Sequence, residues 1–232
     1  VHVPDGFLDA PTSVATGAVA VVGVGLALRG ARRELDDRTA PLAGLVAAFV
    51  FATQMINFPV GAGTSGHLLG GALAAVLVGP FTAVLCTSTV LLVQCLLFAD
   101  GGITALGTNI TLMGLVGVGA GWLLFTLARK VLPKRTESVP AAAAFGALLS
   151  VPLAALAFTG LYAVGGEAHI PLGSLAAAMI GWHSLIGIGE AVITFLAVSA
   201  VVAVRPDLVH GARDVVAARE LEIRTSSEEV SA

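Results

Sequence analysis

The sequence predicts an all-α integral membrane protein, and three observations carry that reading. First, hydrophobic residues make up 56% of the 232-residue chain and charged residues only 12%, with a mean hydropathy of +0.94. A soluble domain carries about 25% charged residues, so this chain cannot coat a water-facing surface with charge, and lipid is its natural solvent. Second, apolar segments recur at about 12–28, 41–57, 65–79, 80–99, 104–128, 139–164 and 172–204; a spanning helix needs about 20 mostly apolar residues. Third, the twelve Lys and Arg residues fall in three places. Arg29, Arg32, Arg33 and Arg38 follow the first segment. Arg129, Lys130, Lys134 and Arg135 follow the fifth, and Arg205, Arg213, Arg219 and Arg224 follow the seventh. Basic residues mark the cytoplasmic side. Seven spans, with the N-terminus outside and the C-terminus in the cytoplasm, bring all three clusters to that side, whereas six spans leave at least one outside.

The start, "VHVPDGFLDA", has no basic n-region, and Pro4, Asp5 and Gly6 interrupt its apolar run, so it does not resemble a secretory leader. The third and fourth segments raise a counting question. Read as one helix, 65–99 would reach roughly 50 Å, overshooting a hydrocarbon core of about 30 Å. Gly79-Pro80 breaks it in the middle. The flank "NFPVGAGTSG" at 57–66 is turn-rich. Non-helical backbone at membrane depth is tolerated only where protein buries it or it lines a cavity, so this stretch is expected to dip from the outer face into the bundle. Gly23-x-x-x-Ala27, Gly117-x-x-x-Gly121 and Gly187-x-x-x-Ala191 are small-residue pairs of the kind that let helices approach closely in lipid. Residues 1–204 form the membrane domain and 205–232 a polar cytoplasmic tail, in which "RDVVAARELEIR" reads as a short interfacial helix.

Few groups are equipped for chemistry. Cys86 and Cys95 lie nine apart inside one apolar stretch, without a CxxC pair, and read as buried free thiols. There is no HExxH motif, no nucleophile–base pair and no GxxxxGK[ST] phosphate loop, so neither an enzyme, a bound cofactor nor a nucleic-acid partner is expected. His169, in an outer loop, and His210, in the tail, are expected in solvent. His183 stands seven residues before Glu190, two turns along one helix face. A carboxylate inside a membrane helix is costly and is a functional candidate; the alternatives are a structural pair with His183 or a proton relay.

His2 is different in kind. With a free amino terminus at Val1, it presents three nitrogens: the α-amine, its own backbone amide and its imidazole Nδ1. Amine and amide close a five-membered ring around a metal, amide and Nδ1 a six-membered one. The shared amide nitrogen favours a square, the geometry typical of Ni(II) and Cu(II) nitrogen sites. His67, in "GTSGHLLGG", supplies the missing fourth donor, because residues 1–9 can extend to roughly 30 Å and fold back into the bundle.

Several stretches carry a resemblance: "HVPDGF" at 2–7, "NFPVGAGTSGHLLGG" at 57–71, "LLVQCLLFADGGITALGTN" at 91–109 and "HSLIGIGEAVIT" at 183–194. In this order they resemble the cobalt/nickel-specific substrate-binding (S) subunits of energy-coupling factor transporters, the CbiM/NikM family. The resemblance implies a seven-helix subunit in the cell membrane that captures Co2+ or Ni2+ at the extracellular face. It implies Val1 (amine), His2 (amide and imidazole) and His67 as donors, matching the constellation read from the residues. It also implies a small accessory membrane subunit, a transmembrane coupling (T) subunit and cytoplasmic ATPase subunits as partners, the ion being substrate rather than cofactor. The family begins with methionine and this chain with valine, as a GUG start codon would explain; the chelate uses only main-chain atoms of that residue. Asp5, Thr64, Ser65, Asn109 and His183 are candidates to orient the ligands from a second layer. The competing reading is a self-sufficient secondary transporter or channel for divalent cations, with Glu190 as its proton relay.

Overall fold

A computed structural model describes residues 2–61 and 64–218. Helix α1 (Ala10–Ala31) begins at Asp9, whose carboxylate accepts the Thr12 N–H at 2.8 Å, with a proline in the first turn. Such a cap satisfies one of the orphan amides of a helix start. Much of α1 is exposed and apolar, Val14 and Val21 included, as a lipid-facing wall is. Helix α2 (Thr39–Gln54) is shorter and is entered through Asp36, whose Oδ1 accepts from the backbone of Arg38 and Thr39. The chain then forms a small antiparallel hairpin, β1 (Phe58–Gly61) with β2 (Thr64–Gly66), in which Pro59 faces Ser65. The expected all-α architecture is thus corrected locally. A hairpin satisfies its own backbone groups, which a loose loop among packed helices would leave unpaired.

Helix α3 (Gly71–Val78) is only eight residues long, about 12 Å, and every one of them is buried. It packs against α2, α4, α6, α7 and α8 and sits at the centre of the bundle. The break expected at Gly79-Pro80 is present: Gly79 has φ +97°, and Pro80 opens α4 (Pro80–Phe98). The next helical rod, Leu106–Val131, comprises α5 (Leu106–Asn109), a π-helical stretch (Ile110–Gly117) and α6 (Val118–Val131). Helices α7 (Val139–Gly165) and α8 (Leu172–Val204) pack against each other as a long hairpin. Pro152 inside α7 lacks the N–H that the Leu148 carbonyl would accept, and Gly187 of α8 lies so close that a Cβ there would stand 2.5 Å from that carbonyl oxygen. Likewise Gly23 faces Leu115 and Gly121 faces Ala72, so these small residues serve packing within the bundle.

Each of the seven apolar segments contains a helix, though 65–79 begins in β2 and is helical only over Gly71–Val78; five helices are long and apolar enough to cross a membrane: Ala10–Ala31, Pro80–Phe98, Leu106–Val131, Thr136–Gly165 and Leu172–Val204. The other two are the 16-residue α2 and the eight-residue α3. Cys86 and Cys95 are buried free thiols, as expected. His169 is exposed. His210, expected in solvent, is instead half-buried beside the Trp122 ring. The tail helix read over 213–224 extends beyond the described residues, and Arg219 and Arg224 lie outside them.

Glu34 is the group that makes the α3–α4 break tolerable. Buried after α1, its carboxylate accepts from the backbone of Phe81 (3.2 Å) and Thr82 (2.7 Å) and from the Thr82 hydroxyl (2.8 Å). A negative group at a helix N-terminus is further favoured by the helix dipole. A Cβ on Gly79 would lie 2.4 Å from the Glu34 carboxyl carbon, and its left-handed φ disfavours any other residue. Glu34→Ala and Gly79→Ala should each destabilise the protein by about 1–3 kcal/mol, measured by thermal unfolding in detergent. The double variant should lose less than the sum, because both act on one contact; strict additivity would show that the two do not act together.

Candidate metal-binding site

Residues 2–9 fold back over one end of the bundle. Asn109, at the start of the Leu106–Val131 rod, holds Val3 from both sides: its Oδ1 accepts the Val3 N–H at 2.7 Å and its Nδ2 donates to the Val3 carbonyl at 3.2 Å. The same carbonyl accepts Gly102 N–H at 3.0 Å. Asp5 accepts from the backbone of Ile103 and Thr104 and from the Thr104 hydroxyl, and that hydroxyl leads the bonds holding its carboxyl below the usual range. Phe7 inserts beside the rings of Phe158 and Tyr162 at 5.7 and 5.3 Å, and its carbonyl accepts Glu167 N–H. Asp9 N–H then bonds Gly165.

This strap buries His2, 5% exposed, against the fully buried His67, with ring centroids 4.4 Å apart. The two residues are 65 apart in sequence, so only the fold-back brings them together. His2 Nδ1 stands 2.8 Å from Asp100 Oδ1, and its Nε2 is buried with no hydrogen-bond partner. Burial holds the His2 imidazole below its ordinary range, only partly offset by Asp100. Burial works to raise Asp100, but the hydrogen bond and charge of His2 bring it below the usual carboxylate range.

His67 follows β2, and its Nδ1 donates to the Leu68 carbonyl at 2.8 Å, which leaves the ring's lone pair on Nε2. The next two residues are tied down from two helices. Leu69 N–H and Gly70 N–H donate to the two oxygens of Glu190 in α8 at 2.6 and 3.0 Å, and Gln54 of α2 donates to the Leu69 carbonyl at 2.7 Å. Gly70 itself caps α3 with φ +73°. Glu190 is thus not hydrogen-bonded to His183: both its oxygens hold the loop that carries His67. His183 donates Nδ1 to the Met179 carbonyl, and its buried Nε2 has no partner.

Of the residues expected in a second layer, Asn109 and Asp5 fasten the strap, His183 is buried in α8, and Ser65 lies half-buried in β2. Val1 and the side chain of Thr64 lie outside the described residues. Asp100, Gln54 and the capping role of Glu190 were missed by sequence reasoning; Asp100 sits within the motif 91–109, and an acid directly after an apolar helix was its available signal. Among the described residues no three His, Cys, Asp or Glu side chains gather closely enough to hold an ion by themselves. The two buried imidazoles of His2 and His67 therefore define the candidate site.

The sequence profile of the CbiM family, described as the cobalt uptake substrate-specific transmembrane region, matches residues 2–208. The chain belongs to this family. Its relatives are transport proteins. A protein of Haloquadratum walsbyi named as a metal transport protein is 38% identical, over 90% of this chain and 93% of its own. The cobalt transport protein CbiM of Sorangium cellulosum is 42% identical over 56% of this chain and 59% of its own. The fused nickel transport protein NikMN of Rhodobacter capsulatus is 44% identical over 50% of this chain and 33% of its own. A crystal structure of a truncated transition metal transporter superposes with a TM-score of 0.81 at 30% identity, covering 88% of this chain and 99% of that one. This CbiM-family chain is a multi-pass membrane protein with the fold of metal transporters.

Glu190 offers the sharpest test of how the site is held. Glu190→Gln keeps the size but turns an amide NH2 toward one of the two backbone donors; Glu190→Ala abandons both, at about 1–3 kcal/mol for each buried unsatisfied group. Both should weaken Ni2+ binding by about 10–100-fold, as loss of ligand-orienting groups does, with Ala worse than Gln in calorimetric titration. Wild-type affinity in Glu190→Ala would show that the loop holds itself.

Proposed function

We propose that this chain is the substrate-capture (S) subunit of an ATP-driven energy-coupling factor importer for Co2+ or Ni2+. The ion is held by the α-amine of Val1, the backbone amide and imidazole of His2, and the imidazole of His67. The observation that carries this reading is the burial of the His2 ring against the His67 ring by a strap with no other evident task. The membership of a family described by cobalt uptake points to the same cargo.

The chelate requires His2 Nδ1, so on loading the ring turns about χ2 and gives up its contact with Asp100. An imidazole that gives its outer N–H to a main-chain carbonyl, as His67 gives Nδ1–H to Leu68, is the usual support of a metal-bound histidine. Three fused main-chain and side-chain nitrogens with an imidazole opposite make a square, which favours Ni(II) over Co(II) in intrinsic affinity. Binding displaces protons from the amine and amide. The amine ordinarily titrates near 8, so affinity falls as pH drops below about that value.

Under this reading all seven apolar segments, the short α3 with its hairpin included, complete the bundle, with the strap outside and the basic clusters in the cytoplasm. An accessory membrane subunit, a T subunit and ATPase subunits supply the energy. Relatives named as fused NikMN nickel transport proteins support partners of this kind. The secondary-transporter reading rested on Glu190, whose oxygens are both occupied by backbone N–H groups.

His2→Ala and His67→Ala should each lower Ni2+ affinity by more than about 100-fold, beyond the loss typical of outer supporting groups. One residue added before Val1 creates a terminus with histidine third, which supplies four nitrogens alone. That variant should bind Ni2+ in vitro even with His67→Ala, yet fail in ATP-driven uptake because the loop no longer closes on the ion. Normal uptake by it would overturn the geometry. Uptake by the chain alone in liposomes, without ATPase subunits, would overturn the partner assignment.

A further inference from the structure

The rod Leu106–Val131 leads away from the histidines. From Asn109, which holds the strap, to Arg129 it covers twenty residues, or about 30 Å at helical rise, the thickness of a hydrocarbon core. At that far end a cavity of about 450 Å³ opens between α6, the α6–α7 link and the turn His210–Ala212. Its floor is aromatic: Trp122 stacks on Phe125 at 5.2 Å and meets the His210 ring at 5.4 Å. Its rim carries Arg129, Lys130, Lys134 and Arg213 against one acid, Asp214. Asp214 stands 3.6 Å from Arg129 and is itself largely exposed, and Arg213 gives one N–H to the Glu34 carbonyl. Arg129 also donates to the Arg135 carbonyl, so it is Lys130 and Lys134 that make no ion pair among the described residues. His210 Nδ1 is buried here with no hydrogen-bond partner.

A basic loop at a membrane boundary is an orientation signal and by itself calls for no ligand. Here the cations come from three separate elements and converge on a concavity of the size that small molecules occupy, about 300–1,000 Å³. The adjoining face of α6 decides which anion fits. Leu123, Leu127 and Val131 are 57%, 44% and 88% exposed and recur every fourth residue, forming one apolar stripe that runs up to the rim. A free phosphate has no use for such a stripe; a molecule with an anionic head and acyl tails uses both surfaces.

We propose that this cavity binds the phosphate headgroup of an acidic phospholipid, with its acyl chains lying along Leu123, Leu127 and Val131. Basic pockets between membrane helices hold acidic headgroups in this way. The site lies at the opposite end of the bundle from the metal-binding strap and does not depend on the metal reading.

The test is native mass spectrometry of the full chain in detergent, titrated with dioleoyl phosphatidylglycerol or dioleoyl phosphatidylcholine, with inorganic phosphate as competitor. Phosphatidylglycerol should bind in preference to phosphatidylcholine and resist phosphate. Lys130→Gln/Lys134→Gln should weaken its binding roughly 30-fold, the effect of two cations at an anionic lipid. Arg29→Gln/Arg32→Gln, which removes equal charge from the end of α1 and none from the cavity, should leave binding unchanged. An unaltered thermal unfolding midpoint in detergent certifies the folding of each variant, and Lys134→Gln alone, in an exposed link, replaces a pair that does not fold. Equal binding of the two lipids, equal losses in both charge pairs, or complete displacement by phosphate would each overturn the proposal. So would a Lys130→Gln/Lys134→Gln protein that keeps its lipid preference but loses ATP-driven uptake with its partners, which would assign the rim to an acidic protein segment.

Discussion

The clamp of Asn109 on the backbone of Val3 is the contact on which the site depends. An extended N-terminal strap has no secondary structure of its own, and ordering each residue costs about 1–2 kcal/mol of backbone entropy. The bidentate amide, the Asp5 contacts to 103–104 and the insertion of Phe7 offset that cost together. Without them His2 would have no reason to leave water for a position 5% exposed beside a second imidazole.

A second constraint operates at the centre. Interrupting a helix inside a bilayer exposes backbone N–H groups that lipid cannot satisfy. The chain meets this at both ends of the short α3 with a glutamate from a distant segment. Glu190 takes the amides of Leu69 and Gly70 ahead of α3, and Glu34 takes those of Phe81 and Thr82 at the start of α4. Each carboxylate answers to a helix beginning and also ties that beginning to another element. The loop carrying His67 is in this way positioned by α8 and α2, not by its own conformation.

Much of this was legible in the sequence, and the reasons for what was not are physical. Composition announced lipid, and Gly79-Pro80 announced the break. The chelating capacity of a histidine at position 2 follows from covalent geometry, and the turn-rich GTSGH stretch marked the second imidazole. The partners of the carboxylates were hidden, because Glu190 meets Leu69 from 121 residues away and no local periodicity reports such a pairing. A separation of 98 residues likewise hid Asp100 from His2. The hairpin 58–66 was read as a loop because its glycines and proline erase the two-residue alternation by which strands are recognised, and His210 was placed in water because Trp122 lies far from it in sequence.

The most direct test is the K-edge X-ray absorption spectrum of the Ni2+-loaded, full-length protein. The account predicts a square-planar centre of four nitrogen donors, with a histidine scattering pattern and neither sulfur nor a shell of six oxygens. An octahedral, oxygen-rich spectrum would contradict it, because the ion would then be held by water and carboxylates and not by the buried strap and His67.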